Sequence, residues 1–150
     1  MNKTKLYNLF TIIITALFLT ACTGIFENGK ELAADAKTRI SQISAGELNS
    51  MIEEGEEFLL IDVRQRKEYK KSNIPGSFLI SRGLLEFKIV DEKFWEEEFM
   101  YAPMDTDRIV VYCQKGDRGI LAAESLQKLG FKNVKNLEGG YEAFEHKVDK

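Results

Sequence analysis

Two short, uninterrupted apolar runs do most to limit the folds open to this chain. Residues 57–63 (EFLLIDV) and 108–113 (RIVVYC) are too brief for typical helices and lack the polar/apolar alternation of a half-exposed strand. Each therefore reads as a central strand of a parallel sheet, covered on both faces. The second run is the more strand-like, with the β-formers Ile109, Val110 and Val111. Residues 39–43 (RISQI), 78–80 (FLI) and 133–137 (NVKNL) are shorter strand candidates. Helical patterns lie between them. Ser44-Ala45-Gly46-Glu47 has the form of a capping box, followed by Leu48, Met51 and Ile52 at helical spacing. Residues 64–72 (RQRKEYKKS) form a short exposed helix or turn, and 73–77 (NIPGS) a bend. Residues 82–101 divide into two helical pieces broken near Val90-Asp91, with Leu84, Leu85, Phe87, Phe94, Trp95 and Phe99 expected in the core. A helix over 119–129 carries Ala122, Leu126 and Leu129 on one face and stops at Gly130; a last helix covers 140–148. The expected fold class is α/β, a mostly parallel sheet of about five strands with helices on both faces. Ligands of such sheets bind beyond the carboxyl ends of the strands, where Cys113 sits.

A length of 150 residues suits one folded domain, and 44% hydrophobic with 30% charged residues is an ordinary globular mix. The net charge of −3, without a basic stripe, argues against nucleic acid as a partner. The N-terminus differs in kind. Lys3 and Lys5 precede an uncharged, largely apolar run over residues 6–22, closing on small residues and a cysteine, which is the layout of a secretory signal peptide. A spanning helix, the alternative, needs about 20 apolar residues, more than this run supplies. Leu19-Thr20-Ala21-Cys22 resembles the bacterial lipobox, which implies a signal peptide over 1–21, lipidation of Cys22 and a mature chain beginning there. Loss of Lys3 and Lys5 removes two positive charges and takes the formal charge from −3 to −5. Residues 22–38 read as a polar tether and 39–150 as the folded domain, exported and held at a bacterial membrane on its periplasmic or cell-surface side.

With Cys22 blocked, Cys113 is the single free thiol of the two cysteines. It could be a small buried apolar residue, but its neighbours suit a nucleophile. Backbone N–H groups of residues 114–119 can wrap the sulfur, Gly116 and Gly119 relax the backbone, and Lys115 and Arg118 add positive charge that Asp117 partly offsets. The start of the next helix adds its dipole, so an electropositive surface cup with a low-pKa thiol at its base is expected. The lone His146 near the C-terminus makes a Cys-His dyad weak, one thiol and one His fall short of a zinc site, and no phosphate-binding loop or GxGxxG occurs.

Cys113-Gln114-Lys115-Gly116-Asp117-Arg118 resembles the Cys-x-x-Gly-x-Arg active-site loop of the rhodanese-like sulfurtransferases. Residues 59–77 (LLIDVRQRKEYKKSNIPGS) resemble the upstream signature of that family, and 122–144 its C-terminal stretch; together the likeness spans about 39–147. Asn73 stands where the family commonly has His, and Phe144 where it has Trp. Residues 81–89 resemble a variant of exported single-domain members, in which Arg82 and Lys88 either extend the anion-attracting surface or are solvated charges. The resemblance implies a three-layer rhodanese-like domain in which the Cys113 thiolate takes a sulfane sulfur from a donor such as thiosulfate and passes it, as a persulfide, to cyanide or a thiol.

It further implies that residues Gln114, Lys115, Gly116, Asp117, Arg118 and Gly119 bind the donor, with Lys115 attracting it and Arg118 either assisting or bracing the loop. Asp62 and Arg64 match the family's Asp-Val-Arg and imply an ion pair that orients the loop; Glu138-Gly139-Gly140 implies a close turn beneath it. No cofactor or metal is expected, and the chain is expected to be a monomer. Three other readings compete. One is a phosphatase, disfavoured because four residues rather than five separate Cys113 from Arg118. Another is a non-catalytic carrier delivering sulfur to a protein partner at the membrane. The third is a redox thiol, which lacks a resolving cysteine.

Overall fold

The computed structural model describes residues 24–148; residues 1–21, expected to be a signal peptide, and Cys22, expected to be lipidated, lie outside the described residues. Helix α1 (Gly29–Lys37) leads into β1 (Gln42–Ile43) and α2 (Ala45–Glu53). Strand β2 (Leu59–Asp62), α3 (Arg66–Lys71) and β3 (Phe78–Leu79) follow, then a 3₁₀ turn (Arg82–Leu84), α4 (Leu85–Lys88) and α5 (Glu92–Glu97). Strand β4 (Arg108–Tyr112), α6 (Asp117–Lys128), β5 (Asn133–Leu137) and α7 (Gly140–Val148) complete the domain. The strands form one sheet in the order β1-β5-β4-β2-β3, parallel throughout. This is the α/β architecture expected, with β4 at the centre, Ile61 facing Val111 on one side and Asn136 facing it on the other.

Because strand side chains alternate between faces, the two central strands feed two cores. Ile61, Ile109 and Val111 pack with Ala36, Ile40, Trp95 and the α6 residues Ile120, Ala123 and Leu126. Leu60, Val110 and Tyr112 pack on the other face with Leu48, Leu137, Tyr141 and Phe144, beneath α2 and α7. The uninterrupted apolar character of β2 and β4 follows from this double covering. The capping box forms as expected. Ser44 Oγ accepts from the Glu47 N–H (3.2 Å), and Glu47 accepts from the Ser44 N–H (2.9 Å); such a cap stabilises a helix by about 1 kcal/mol.

Three expectations need correction. The segment read as a tether contains α1, which packs on α6 through the buried Ala33 and Ala36, so ordered structure begins at Gly29 rather than near Arg39. Its contact face is built of alanines, which carry too little apolar weight to reveal a helical stripe. The aromatic run of residues 82–101 splits. Leu85 and Trp95 are fully buried and Phe94 packs edge-on to Trp95, whereas Leu84, Phe87 and Phe99 are exposed. Helical pieces of four and six residues are too short to hold a continuous inward stripe. Leu129, at the C-cap of α6, is likewise half exposed.

Candidate active site

Cys113 follows directly on β4, and α6 begins four residues later. The intervening turn folds back over the sulfur, so the Gly116 N–H donates to Cys113 Sγ at 3.1 Å. Gly116 has φ +103, a left-handed conformation that a residue with a Cβ adopts only under strain. The cysteine is 1% exposed, deeper than the surface cup expected from sequence. Among the described residues one loop amide, rather than several, reaches the sulfur. The floor of the loop explains the depth. Gly139 and Gly140 turn with φ +71 and +65, bringing the Tyr141 N–H onto Cys113 O (2.7 Å) and the Glu142 N–H onto Gln114 O (3.1 Å). A Cβ on Gly140 would collide with Cys113 O and Gln114, so this is the close turn expected beneath the loop. Above the sulfur a cavity of about 340 Å³ opens to solvent, lined by Glu68, Cys113, Gln114, Lys115, Asp117 and Arg118.

Two arginines set the loop's position. Arg64, 2% exposed, forms a bidentate pair with fully buried Asp62 (2.7–3.1 Å) and stacks over Tyr141 at 4.4 Å. It also donates to Gln114 Oε1 (3.0 Å) and Ser72 O (2.7 Å), tying the loop to the bend after α3. Burial is the largest single influence and works against the Arg64 charge, but the hydrogen bonds and negative charge of Asp62, with a smaller contribution from Tyr112, together exceed it, so the guanidinium titrates above its ordinary value. Gln114 is held from its other end by Glu142 (3.3 Å), making it a brace as well as a wall of the cavity. Arg118 reaches α3, where both guanidinium nitrogens donate to Glu68 (2.9 and 3.2 Å). That hydrogen bond raises the Arg118 pKa, and the Cys113 sulfur adds to the rise. The same contact holds Glu68 below its ordinary value, against a smaller opposing effect of burial.

Of the other expected residues, Lys115 is exposed at the cavity mouth and makes no ion pair among the described residues. Asp117 is exposed in the first turn of α6, while Gly119 is buried there against Asn136. Arg82 and Lys88 do not extend the anion-attracting surface. Arg82 pairs with Glu86 (2.7 Å) and Ser125 (2.8 Å), and Lys88 with Asp91 (3.0 Å), away from the Cys113 cavity. Sequence reasoning missed Glu68, hidden among the charges of residues 64–72. The usable signal was Gln65-x-x-Glu68, which forms a capping box and places the carboxylate on the first turn of α3. It also missed Tyr112, whose hydroxyl accepts from the Ile74 N–H (3.2 Å) and bonds Ser77 Oγ (2.9 Å), fixing the bend. Burial, then the Asp62 charge, pushes that phenol well above its ordinary pKa and keeps it neutral.

A single thiol at the carboxyl end of a central parallel strand, bonded by a backbone amide at a helix start and overhung by an arginine, can attack and carry a small electrophilic group. The Rhodanese-like domain family matches residues 44–147. The chain belongs to that family. A Schizosaccharomyces pombe protein provisionally named a mitochondrial thiosulfate sulfurtransferase is 36% identical over 92 residues, covering 60% of this chain and 65% of that one, so the chain spans less than two thirds of its length. A human thiosulfate:glutathione sulfurtransferase is 30% identical over 102 residues, 66% of this chain and 88% of the other. A solved structure from Rhodopseudomonas palustris, described as a protein of unknown function and possible tyrosine phosphatase, matches with a TM-score of 0.70 and 28% identity over 84% of this chain and 95% of that one. The chain thus carries the central sheet and flanking helices of the rhodanese-like fold, a domain shared with relatives that are named as sulfurtransferases.

Proposed function

We propose that the chain is a sulfurtransferase that takes a sulfane sulfur from a thiosulfate-like anion onto Cys113 and passes it to a thiol or to cyanide. In the loading step the Cys113 thiolate attacks the outer sulfur of the donor. The bond from that sulfur to the sulfonate breaks, sulfite leaves with the electron pair, and a cysteine persulfide remains. In the second step an acceptor thiolate attacks the outer sulfur, forming its own persulfide and returning the Cys113 thiolate. The observation that carries this reading is the Gly116 N–H on Cys113 Sγ at 3.1 Å, at the start of the 12-residue helix α6. An amide and a helix N-terminus placed there favour the anionic sulfur in both the resting and loaded forms. Lys115, at the mouth and without an ion-pair partner among the described residues, supplies long-range attraction for a dianion.

The phosphatase reading raised by the Rhodopseudomonas palustris description meets a loop in which only Gln114, Lys115, Gly116 and Asp117 separate Cys113 from Arg118. The smaller ring suits one sulfur atom better than a tetrahedral phosphate. The same proposal places the chain at a bacterial membrane, exported and anchored through a lipidated Cys22. A kinetic panel decides the chemistry: thiosulfate with cyanide or glutathione should give turnover that Cys113→Ser abolishes, while an aryl phosphate gives none. Turnover retained in Cys113→Ser, or a preference for the phosphate, overturns it.

A further inference from the structure

Helix α1 limits where the domain can stand relative to a membrane. Asn28, Gly29 and Lys30, at the start of that helix, line one cavity with Asp117, Arg118 and Leu121. Asp117 and Arg118 also line the cavity over Cys113. The chain therefore enters the ordered domain beside the mouth of the sulfur site. Only residues 23–28 separate Cys22 from Gly29. Six residues reach at most about 20 Å when fully extended, whereas a domain of this size is about 35 Å across. A leash of that length cannot run down the flank and leave the mouth facing away from the anchor. The leash itself presents Ile25 fully exposed and Phe26 half-buried, apolar side chains of the kind that settle at a lipid interface.

We infer that the Cys113 mouth faces the membrane surface at close range and delivers its sulfur to a thiol presented there. This rests on the sulfurtransferase reading and on the lipid anchor at Cys22. The step is the acceptor half of the same exchange. A surface thiolate attacks the outer sulfur of the Cys113 persulfide, the sulfur–sulfur bond to Cys113 breaks, and the cysteine leaves as thiolate. No further oxidant or reductant is required.

The test uses the processed, lipidated protein in phosphatidylcholine vesicles that contain a thiol-headgroup lipid, loaded with sulfane-labelled thiosulfate. A second form carries a flexible Gly-Ser insert of about 20 residues between Gly24 and Ile25, beyond the catalytic machinery. Lengthening the leash from six residues to about 26 should slow transfer of label to the lipid thiol about ninefold, by the fall in effective concentration. Transfer to soluble glutathione should be the same in both forms. Equal transfer to the lipid thiol overturns the membrane-facing orientation alone. Failure of Cys113 to take up label overturns the sulfurtransferase reading with it, and membrane retention of Cys22→Ser overturns the anchor on which the orientation depends.

Discussion

At the residue scale, Arg118 answers the question the sequence left even. Its guanidinium spans from the active-site loop to Glu68 on α3, so its first role is to brace the loop, with its charge still felt by the sulfur. Glu68 is depressed by that contact, which fixes the sign of a pH effect. Its stabilising contribution is complete above the ordinary glutamate value of 4.5 and is lost as pH falls through the lower folded value. Denaturant titrations from pH 7 to about pH 3 should therefore show a steeper acid loss in the parent than in Glu68→Gln, the difference at neutral pH being about 1 kcal/mol or less for so exposed a pair. Asp62→Asn should cost far more, about 3–5 kcal/mol by equilibrium unfolding, because it leaves the buried Arg64 charge without its counterion. Cys113→Ser removes the nucleophile. Since the site is 1% exposed, the substitution should also lower stability by about 1–2 kcal/mol rather than leave it unchanged, a hydroxyl being costlier to bury than a thiol.

At the element scale, legibility followed side-chain size and run length. Strands β2, β4 and β5 were readable because their residues are apolar and β-branched or sit between clear stops, and α2 because Ser44 and Glu47 announce it. Helix α1 was not, since its buried face is Ala33 and Ala36; the hint lay in Asn28, whose side chain accepts from the Lys30 and Glu31 N–H groups as an N-cap. The loop chemistry was readable in the Cys113–Arg118 spacing, but the partners that hold it are distant in sequence. The Gly139-Gly140 turn was legible through the family resemblance, whereas Glu68 meets Arg118 only through the parallel crossover, so the Gln65-x-x-Glu68 pattern marks a helix start without revealing that partner. The docking of α1 has a direct test in hydrogen exchange on Ala36→Asp. A buried unpaired charge should undock the helix, so amides of residues 32–37 should lose protection while those of β4 keep theirs. Uniform loss of protection across the sheet would show instead that α1 belongs to the global folding unit.

At the scale of the whole molecule, a parallel sheet ends three chain segments at one rim: the loop after β4, the turn after β5 and the Asp62–Arg64 pair after β2. The other two hold the Cys113 loop, Arg64 through Gln114 and the turn after β5 through Cys113 O and Gln114 O, while α1 brings the N-terminal approach to the same rim. Function therefore depends on assembly of the whole domain rather than on the six-residue loop alone. Gly140→Ala, two elements away in sequence, should disturb sulfur transfer by pushing Cys113 O and Gln114 out of place, seen as a fall in kcat/KM greater than the loss of stability explains. The most direct measurement of the central claim is the mass of the peptide containing Cys113 after the purified protein meets thiosulfate and is separated from it without reductant. A gain of one sulfur atom, discharged by cyanide, is the predicted result. An unmodified Cys113, under conditions in which its thiol is shown to be reduced, would contradict it.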